Sequence, residues 1–508
     1  MLRPERSNPI HPMANGCSAR AGFCSFAVLL SLAACRVGPD APPDTKAPPS
    51  DAVSKGPLGD GVTADQQPLP RWWTSLGDPL LNTLIERADA ANQSLAAAAA
   101  NVRAAYAAVG VSEAQLWPTV GAGAQYTRTL TNISLLAANG VVLDPYNSYA
   151  YGVGMSSWEI DLWGGVRRQV EAAAASAEST VEQLRDALVS VRTQVAASYV
   201  QLRMLQEQRA SLIANCEALA TTLELTRARY EAGTTNALDL SRAKAEYDGA
   251  DAQVPQIDAG IASTIATIAV LCGGSPSEFA PMLAEKKAMP KSPDVAGIGL
   301  PEELLQRRPD VRSAQQRLAA ATAAIGAAEA YRYPKLTISG NFYIATTGTD
   351  GLADLGNRAY SIGPSLYLPL FTGGRIDATV NQKRAEAEAA LAQYRGAVIS
   401  AVGDVSACAS DFVHARETRR RSDSALASSE AALALAQQQY DAGVIDYATL
   451  LDVQRGKLSA ESTAVEARAG VVQGYIALQR ALGAGWDAEE QAVQAAMSAE
   501  STQSENAR

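Results

Sequence analysis

Between Val166 and Tyr230 the chain runs 65 residues without a glycine or a proline, and from Arg375 to Tyr440 it runs 66 with only Gly396 and Gly403 as weak points. Gly and Pro are the residues that weaken or end helices, whereas Ala, abundant here, is the best helix former. At 1.5 Å per residue each run makes a helix of roughly 100 Å, several times the diameter of a globular domain. Val191, Val195, Tyr199, Leu202 and Leu205 recur at spacings of three and four, the stripe of a coiled-coil seam.

The long runs belong to a chain written twice. Leu116-Trp117-Pro118, followed by Tyr126, answers Arg332-Tyr333-Pro334, followed by Phe342, at an offset of 216 residues. Trp158, Gly164 and Gly165 answer Tyr367, Gly373 and Gly374 at 209, and Tyr230-Glu231-Ala232-Gly233 answers Tyr440-Asp441-Ala442-Gly443 at 210. Two homologous halves follow, residues 71–298 and 299–483. In each, Ala-rich helical sequence (Leu84 to Leu116, Pro301 to Arg332) meets an aromatic-Pro pair, where the residue before Pro is pushed into extended geometry. Two weakly alternating segments come next: Thr119 to Arg128 and Ala150 to Leu162, then Lys335 to Ala345 and Ala359 to Phe371. Period two with aromatics near the ends suits strands of a membrane barrel, and it also suits surface hairpins on a soluble protein.

The helix lengths favour a very long antiparallel helical barrel. After Gly233, Ala237 to Leu271 gives 35 residues and Pro301 to Arg332 gives 32, together close to the 66 from Gly165 to Tyr230. Two shorter helices stacked end to end line one long helix, and Tyr447 to Leu482 (36) with Leu84 to Leu116 (33) do so for the other. Four strands cannot close a barrel, and an open edge cannot face lipid because its N–H and C=O groups stay unpaired. Two chains give eight strands filled by side chains; three give twelve and a lumen. A homotrimer is the smallest assembly that closes and conducts. The expected fold is mainly α with a membrane β-barrel.

The N-terminus reads as a targeting segment, residues 1–34. Arg20 precedes an apolar run from Ala21 to Ala34, too short at 14 residues to cross a bilayer core of about 30 Å. Leu32-Ala33-Ala34-Cys35 resembles a lipobox, with Cys35 lipidated, as by palmitate, after cleavage; Met1 and Met13 both stand as starts. Arg36 after the cysteine, where Asp would favour inner-membrane retention, favours the outer membrane. Residues 35–70, rich in Pro, Asp, Gly and Ala, are expected to be a tether that lets the anchor sit apart from the folded body. Residues 484–508 are expected to be a polar C-terminal tail without order.

Composition excludes other classes. A net charge of -10 and no Lys/Arg cluster argue against nucleic acid, and a mean hydropathy of -0.06 against a polytopic helical membrane protein. His414 is the one histidine after Cys35, and no metal-ligand cluster, Walker loop or Rossmann fingerprint is present. No catalytic constellation, metal or cofactor is expected, and an enzyme is the disfavoured reading. Of Cys216, Cys272 and Cys408, the first lies about 21 Å from the tips and the others near 50 Å. Only Cys272 with Cys408 can pair, against the alternative of three free thiols.

The residues resemble the outer-membrane factor lipoproteins of resistance-nodulation-division efflux systems, the TolC-like, NodT-containing group. The resemblance rests on Cys35-Arg36-Val37-Gly38-Pro39-Asp40, Arg71-Trp72-Trp73 with Asp78-Pro79-Leu80, Arg307-Arg308-Pro309-Asp310-Val311 and the two Tyr-(Glu/Asp)-Ala-Gly turns. It implies a trimer with a twelve-stranded barrel in the outer membrane and an α-helical barrel in the periplasm. It also implies a periplasmic adaptor and an inner-membrane transporter as partners. A channel of type I secretion or another exporter is the alternative, and a periplasmic adaptor, which needs β-rich flanking domains, a weaker one. The tips Tyr230, Gly233, Thr234, Tyr440, Gly443 and Val444 are the expected docking surface. In the resembled family the carboxylate of a Leu-Leu-Asp run faces the periplasmic constriction, which puts Tyr447, Asp452 and Arg242, the repeat counterpart of Asp452, at the aperture.

Overall fold

The structure is a computed structural model describing residues 37–39, 62–63, 69–130, 144–297 and 307–486. Cys35 lies outside the described residues, as do most of the expected tether and tail. The chain divides into two compact units, with the long helices contributing to both.

The described residues of the first unit are 37–39, those of 107–175 other than 131–143, and 318–390. Its strands are β2 (Val120–Thr129), β3 (Tyr146–Ile160), β5 (Lys335–Thr346) and β6 (Arg358–Tyr367). They form one antiparallel sheet in the order β2-β3-β5-β6, so the hairpins of the two halves join side by side and β2 and β6 are left as edges. The register sorts the side chains by chemistry. Ala122, Val153, Phe342 and Tyr360 fall in one cross-strand row and Ala124, Tyr151 and Ile344 in another, with Ile362 and Leu366 on the same face. The opposite face carries Gln125, Thr127, Ser148, Gly154, Asn341, Ser361 and Ser365. Successive strand residues point to opposite sides, so one face is mainly apolar, with Arg128 and Arg358 toward one end, and the other mainly small and polar, with Tyr343 among its larger residues.

The turn from β3 into α3 (Gly165–Glu231) is built by side chains. Asp161 accepts from the N–H groups of Val166 (3.1 Å) and Arg167 (2.9 Å), capping the helix, and the Trp163 indole donates to the Pro334 carbonyl (2.8 Å) while stacking on Tyr333. Within the expected tether, Val37 and Gly38 are hydrogen-bonded to Trp163 and Arg168, so the chain is held to this unit at those two residues.

The second unit holds α1 (Pro79–Ala91), most of α2 (Gln93–Ala114), α3 from Ser176 on, α4 (Ala237–Asp251), α5 (Val254–Leu271) and α6 (Pro276–Leu283). It also holds the start of α7 (Pro309–Ala330), α8 (Arg375–Asp441) from Leu391 on, and α9 (Tyr447–Ala481). Helix α3 is lined in turn by shorter helices, as the lengths predict: Ser179 bonds Ser313 of α7, Arg209 pairs with Asp258 of α5, and Leu212 and Leu219 pack on Ala250 of α4. Phe412 of α8 meets Tyr475 of α9. The core joins Trp72, Leu81, Leu84 and Ile85 to Val195, Tyr199, Leu202 and Tyr475, burying the seam that the sequence spaced at three and four.

Two expected helices are broken. Asn92 ends α1, caps α2 by accepting from Leu95 N–H (3.1 Å), and donates to the Leu271 carbonyl (2.8 Å). At Pro255 the missing N–H divides α4 from α5. A parallel ladder pairs β1 (Val62–Thr63) with β4 (Ala296–Gly297), a second contact of the supposed tether. The first residues of the expected tail are packed: Ala484 joins the core, Gly485 O accepts from Arg192, and the half-buried Trp486 ring lies under Arg185 and Arg312. Cys216, Cys272 and Cys408 are free thiols, and the Cys272 Sγ donates to the Leu84 carbonyl in place of the pairing with Cys408. His414 is exposed on α8.

Candidate functional site

Both long helices end in the same backbone motif. Gly233 N–H bonds Tyr230 O and Thr234 N–H bonds Arg229 O; Gly443 N–H bonds Tyr440 O and Val444 N–H bonds Gln439 O. This is the double closure of a Schellman cap, whose pivot adopts a left-handed conformation that costs L-residues about 1–2 kcal/mol. Gly233 (φ +73°) and Gly443 (φ +72°) supply it without that cost. Three residues after each glycine the returning helices are capped alike: Asp239 N–H donates to Asn236 Oδ1 and Thr449 N–H to Asp446 Oδ1, both at 2.9 Å. The Asp446 carboxyl is held below its ordinary range by the Thr449 hydroxyl first, then by the Thr449 N–H.

Equal backbones carry unequal side chains. In the second tip Tyr440 and Tyr447 pack at 6.1 Å, Arg229 covers the Tyr440 ring at 4.8 Å, and Leu450 and Leu451 complete a small core with Ala243 and Ala436. The repeat counterpart of Tyr447 is Ala237, so the first tip lacks the covering ring and Tyr230 is left exposed. With Leu238 and Val444 it gives the tips a set of exposed apolar side chains. Thr234 is exposed too.

The three expected aperture residues are separated. Tyr447 is buried inside the protomer, its hydroxyl without a partner there and pushed up to about 12 by burial. Asp452 is exposed, 3.8 Å from Arg455, and Arg455 also bonds Glu246 of α4. Arg242, exposed, contributes to the field at Asp446 and is not the partner of Asp452 within the chain. Arg455 escaped the sequence reading because Glu246 lies 209 residues away; the one local signal was its i,i+3 spacing from Asp452.

A duplicated chain with a two-faced four-stranded sheet and two capped helical tips defines the protomer of a TolC-like outer-membrane channel. The chain belongs to the outer membrane efflux protein family, which matches residues 84–274 and 300–484, one match to each half. It is 30% identical over 432 residues to the pyoverdine export outer membrane protein OpmQ of Pseudomonas aeruginosa, covering 84% of this chain and 90% of the relative. Nodulation protein T of Rhizobium leguminosarum is 28% identical over 466 residues, 90% of this chain and 92% of that protein. The solved outer-membrane channel OprN superposes with a TM-score of 0.80 at 33% identity, covering 89% of this chain and all of that one. The protein is thus an efflux channel component of the outer membrane.

Proposed function

We propose that three copies close a twelve-stranded barrel and act as the outer-membrane duct of a tripartite resistance-nodulation-division pump for small molecules. The observation carrying this reading is the sheet. Strands β2 and β6 are unpaired edges of a sheet with one apolar face, and lipid tolerates such a face only where every edge is closed. Twelve strands leave a lumen, which the face carrying Gln125, Thr127, Asn341 and Ser361 would line. Helical stretches Gln93–Ala114, Ala237–Leu271 and Arg375–Asp441 are long and apolar enough to cross a membrane, yet mostly exposed in one chain, which supports their burial against neighbouring copies. Cys35 would carry the lipid anchor, and the tips would dock the periplasmic adaptor that links the channel to the inner-membrane transporter. The protein's work is conduction and not catalysis.

Outer-membrane fractions run without heating should give a band at three times the chain mass that collapses to one chain on boiling; a single-chain band in both lanes refutes the trimer. A photo-crosslinker at Thr234 or Val444 should capture the adaptor in intact cells, and capture only from mid-helix positions refutes docking at the tips.

A further inference from the structure

The structure contains a receptor for the chain's own N-terminal segment. Val37 N–H donates to the Trp163 carbonyl (3.2 Å), at the turn between β3 and α3. Arg168, on the first turn of α3, donates from Nε to Val37 O and from Nη2 to Gly38 O, each at 3.2 Å, and from Nη1 to Glu171 at 2.9 Å. Its side chain is only 1% exposed. A guanidinium fork ordinarily meets a carboxylate or phosphate. Here a buried one spends two of its arms on successive backbone carbonyls, which fixes the path of the chain and reads nothing of its side chains.

The opposite wall is a glycine contact. Gly38, at φ +96°, lies so close to α7 that a Cβ on it would stand 2.4 Å from the Gly326 Cα; a Cβ on Gly326 would stand 2.7 Å from Val37 O and 2.8 Å from Arg168 Nε. The duplicated chain supplies an internal control. By the repeat offsets Arg168 corresponds to Asp377, which is exposed and paired with Arg332. Among the described residues of one chain, the buried guanidinium and the held segment occur at the first strand-to-helix junction and are not repeated at the second.

We propose that Arg168, Gly326 and the Trp163 carbonyl form a clasp that holds Val37–Gly38, and with them the acylated Cys35, against the base of the β3 strand. Two residues of chain span at most about 7 Å, so the acyl group is tied to the barrel's periplasmic rim and not to a loose leader. Anchor and barrel then meet the membrane as one body. The proposal rests on the lipid-anchor reading of Cys35.

The Arg36–Val37 bond is a trypsin site that the clasp should shield. Palmitate-labelled full-length protein in outer-membrane vesicles is treated with trypsin, following both label loss and the appearance of a Val37 N-terminus by mass spectrometry. Wild type should hold its label, whereas Arg168→Gln and Gly326→Ala should lose it about tenfold faster or more, because cleavage follows the population of the opened segment. Gly326→Ala separates the clasp from helix stability: Ala favours the α7 helix more than Gly, so a purely structural role predicts unchanged or slower cleavage. Should Arg168→Gln fail to assemble, Gly326→Ala and Gly38→Ala carry the test. Equal cleavage in wild type and variants overturns the clasp. If wild type takes up no palmitate the anchor reading falls, and the same tenfold ratio is then read from the Val37 N-terminus alone.

Discussion

Replacing Arg455 by Ala should loosen the closed tip. Arg455 of α9 bonds Glu246 of α4 and lies 3.8 Å from Asp452, so one guanidinium ties the return helices of the two halves together. It is 57% exposed, which puts the pair in the surface regime of about 0.2–1 kcal/mol. With three copies parting together, the closed state loses about 0.6–3 kcal/mol, a roughly 3- to 150-fold change in the closed-to-open ratio. Single trimers in a planar bilayer would report this as open probability. At 0.1 M salt the variant should open more often than wild type; at 1 M the difference should shrink, because the Debye length falls from about 10 Å to 3 Å. Glu246→Ala should match Arg455→Ala, and the double variant should add little beyond either. Wild-type gating in Arg455→Ala at low salt, or fully additive singles, would refute the tie.

Tyr447→Phe removes a buried hydroxyl that has no partner in the protomer, so it should stabilise the tip by about 1 kcal/mol in denaturant melts; a loss would show that a neighbouring copy supplies a partner. Because burial raises this phenol from 10 to about 12, its ionisation costs no stability below pH 10 and lowers stability as pH climbs from 10 through 12, so Tyr447→Phe should lose less stability than wild type over that range in alkaline melts. Leu188→Ala, at a fully buried core position, should cost about 2–5 kcal/mol, and a midpoint shift under 1 kcal/mol would mean the core is misplaced. Cys272, buried and raised to about 11, should resist alkylation at pH 8 until the protein unfolds, where rapid labelling of the native form would contradict its burial. Cys35→Ser should abolish palmitate incorporation, and undiminished labelling would remove the anchor.

The long helices were legible because their defining signal is an absence, of Gly and Pro over 65 residues, and the tips because the φ-positive turn calls for Gly233 and Gly443 in a repeated frame. The start of α1 at Pro79 was readable too: Asp78-Pro79 is an N-cap followed by proline at the first helical position, and placing the helix from Leu84 overlooked it. The break at Asn92 was hidden, since Asn is tolerated within helices and its ties to Leu95 and Leu271 exist only after folding. The burial of Tyr447 within the protomer was hidden as well, because it depends on Tyr440, seven residues back across the reversal, whose ring packs on it only once the tip has folded. Composition hid the contacts of residues 37–39 and 62–63, because a Pro- and Gly-rich stretch conceals a few specific hydrogen bonds and one short ladder.

The strand order has a further consequence. Inside one chain the second strand of the first half, β3, pairs with the first strand of the second half, β5. A ring of three chains repeats that relation at every border, where β6 meets the β2 of the next copy in the same antiparallel sense. Covalent seams and subunit seams are therefore two versions of one contact, and the ring has six near-equal sectors of two alternating kinds. In the proposed ring a partner at the tips would meet two alternating kinds of turn, one with exposed Arg242 and the other with exposed Asp452 beside Arg455. A partner reading only backbone shape could occupy six places, and one reading charge could occupy three.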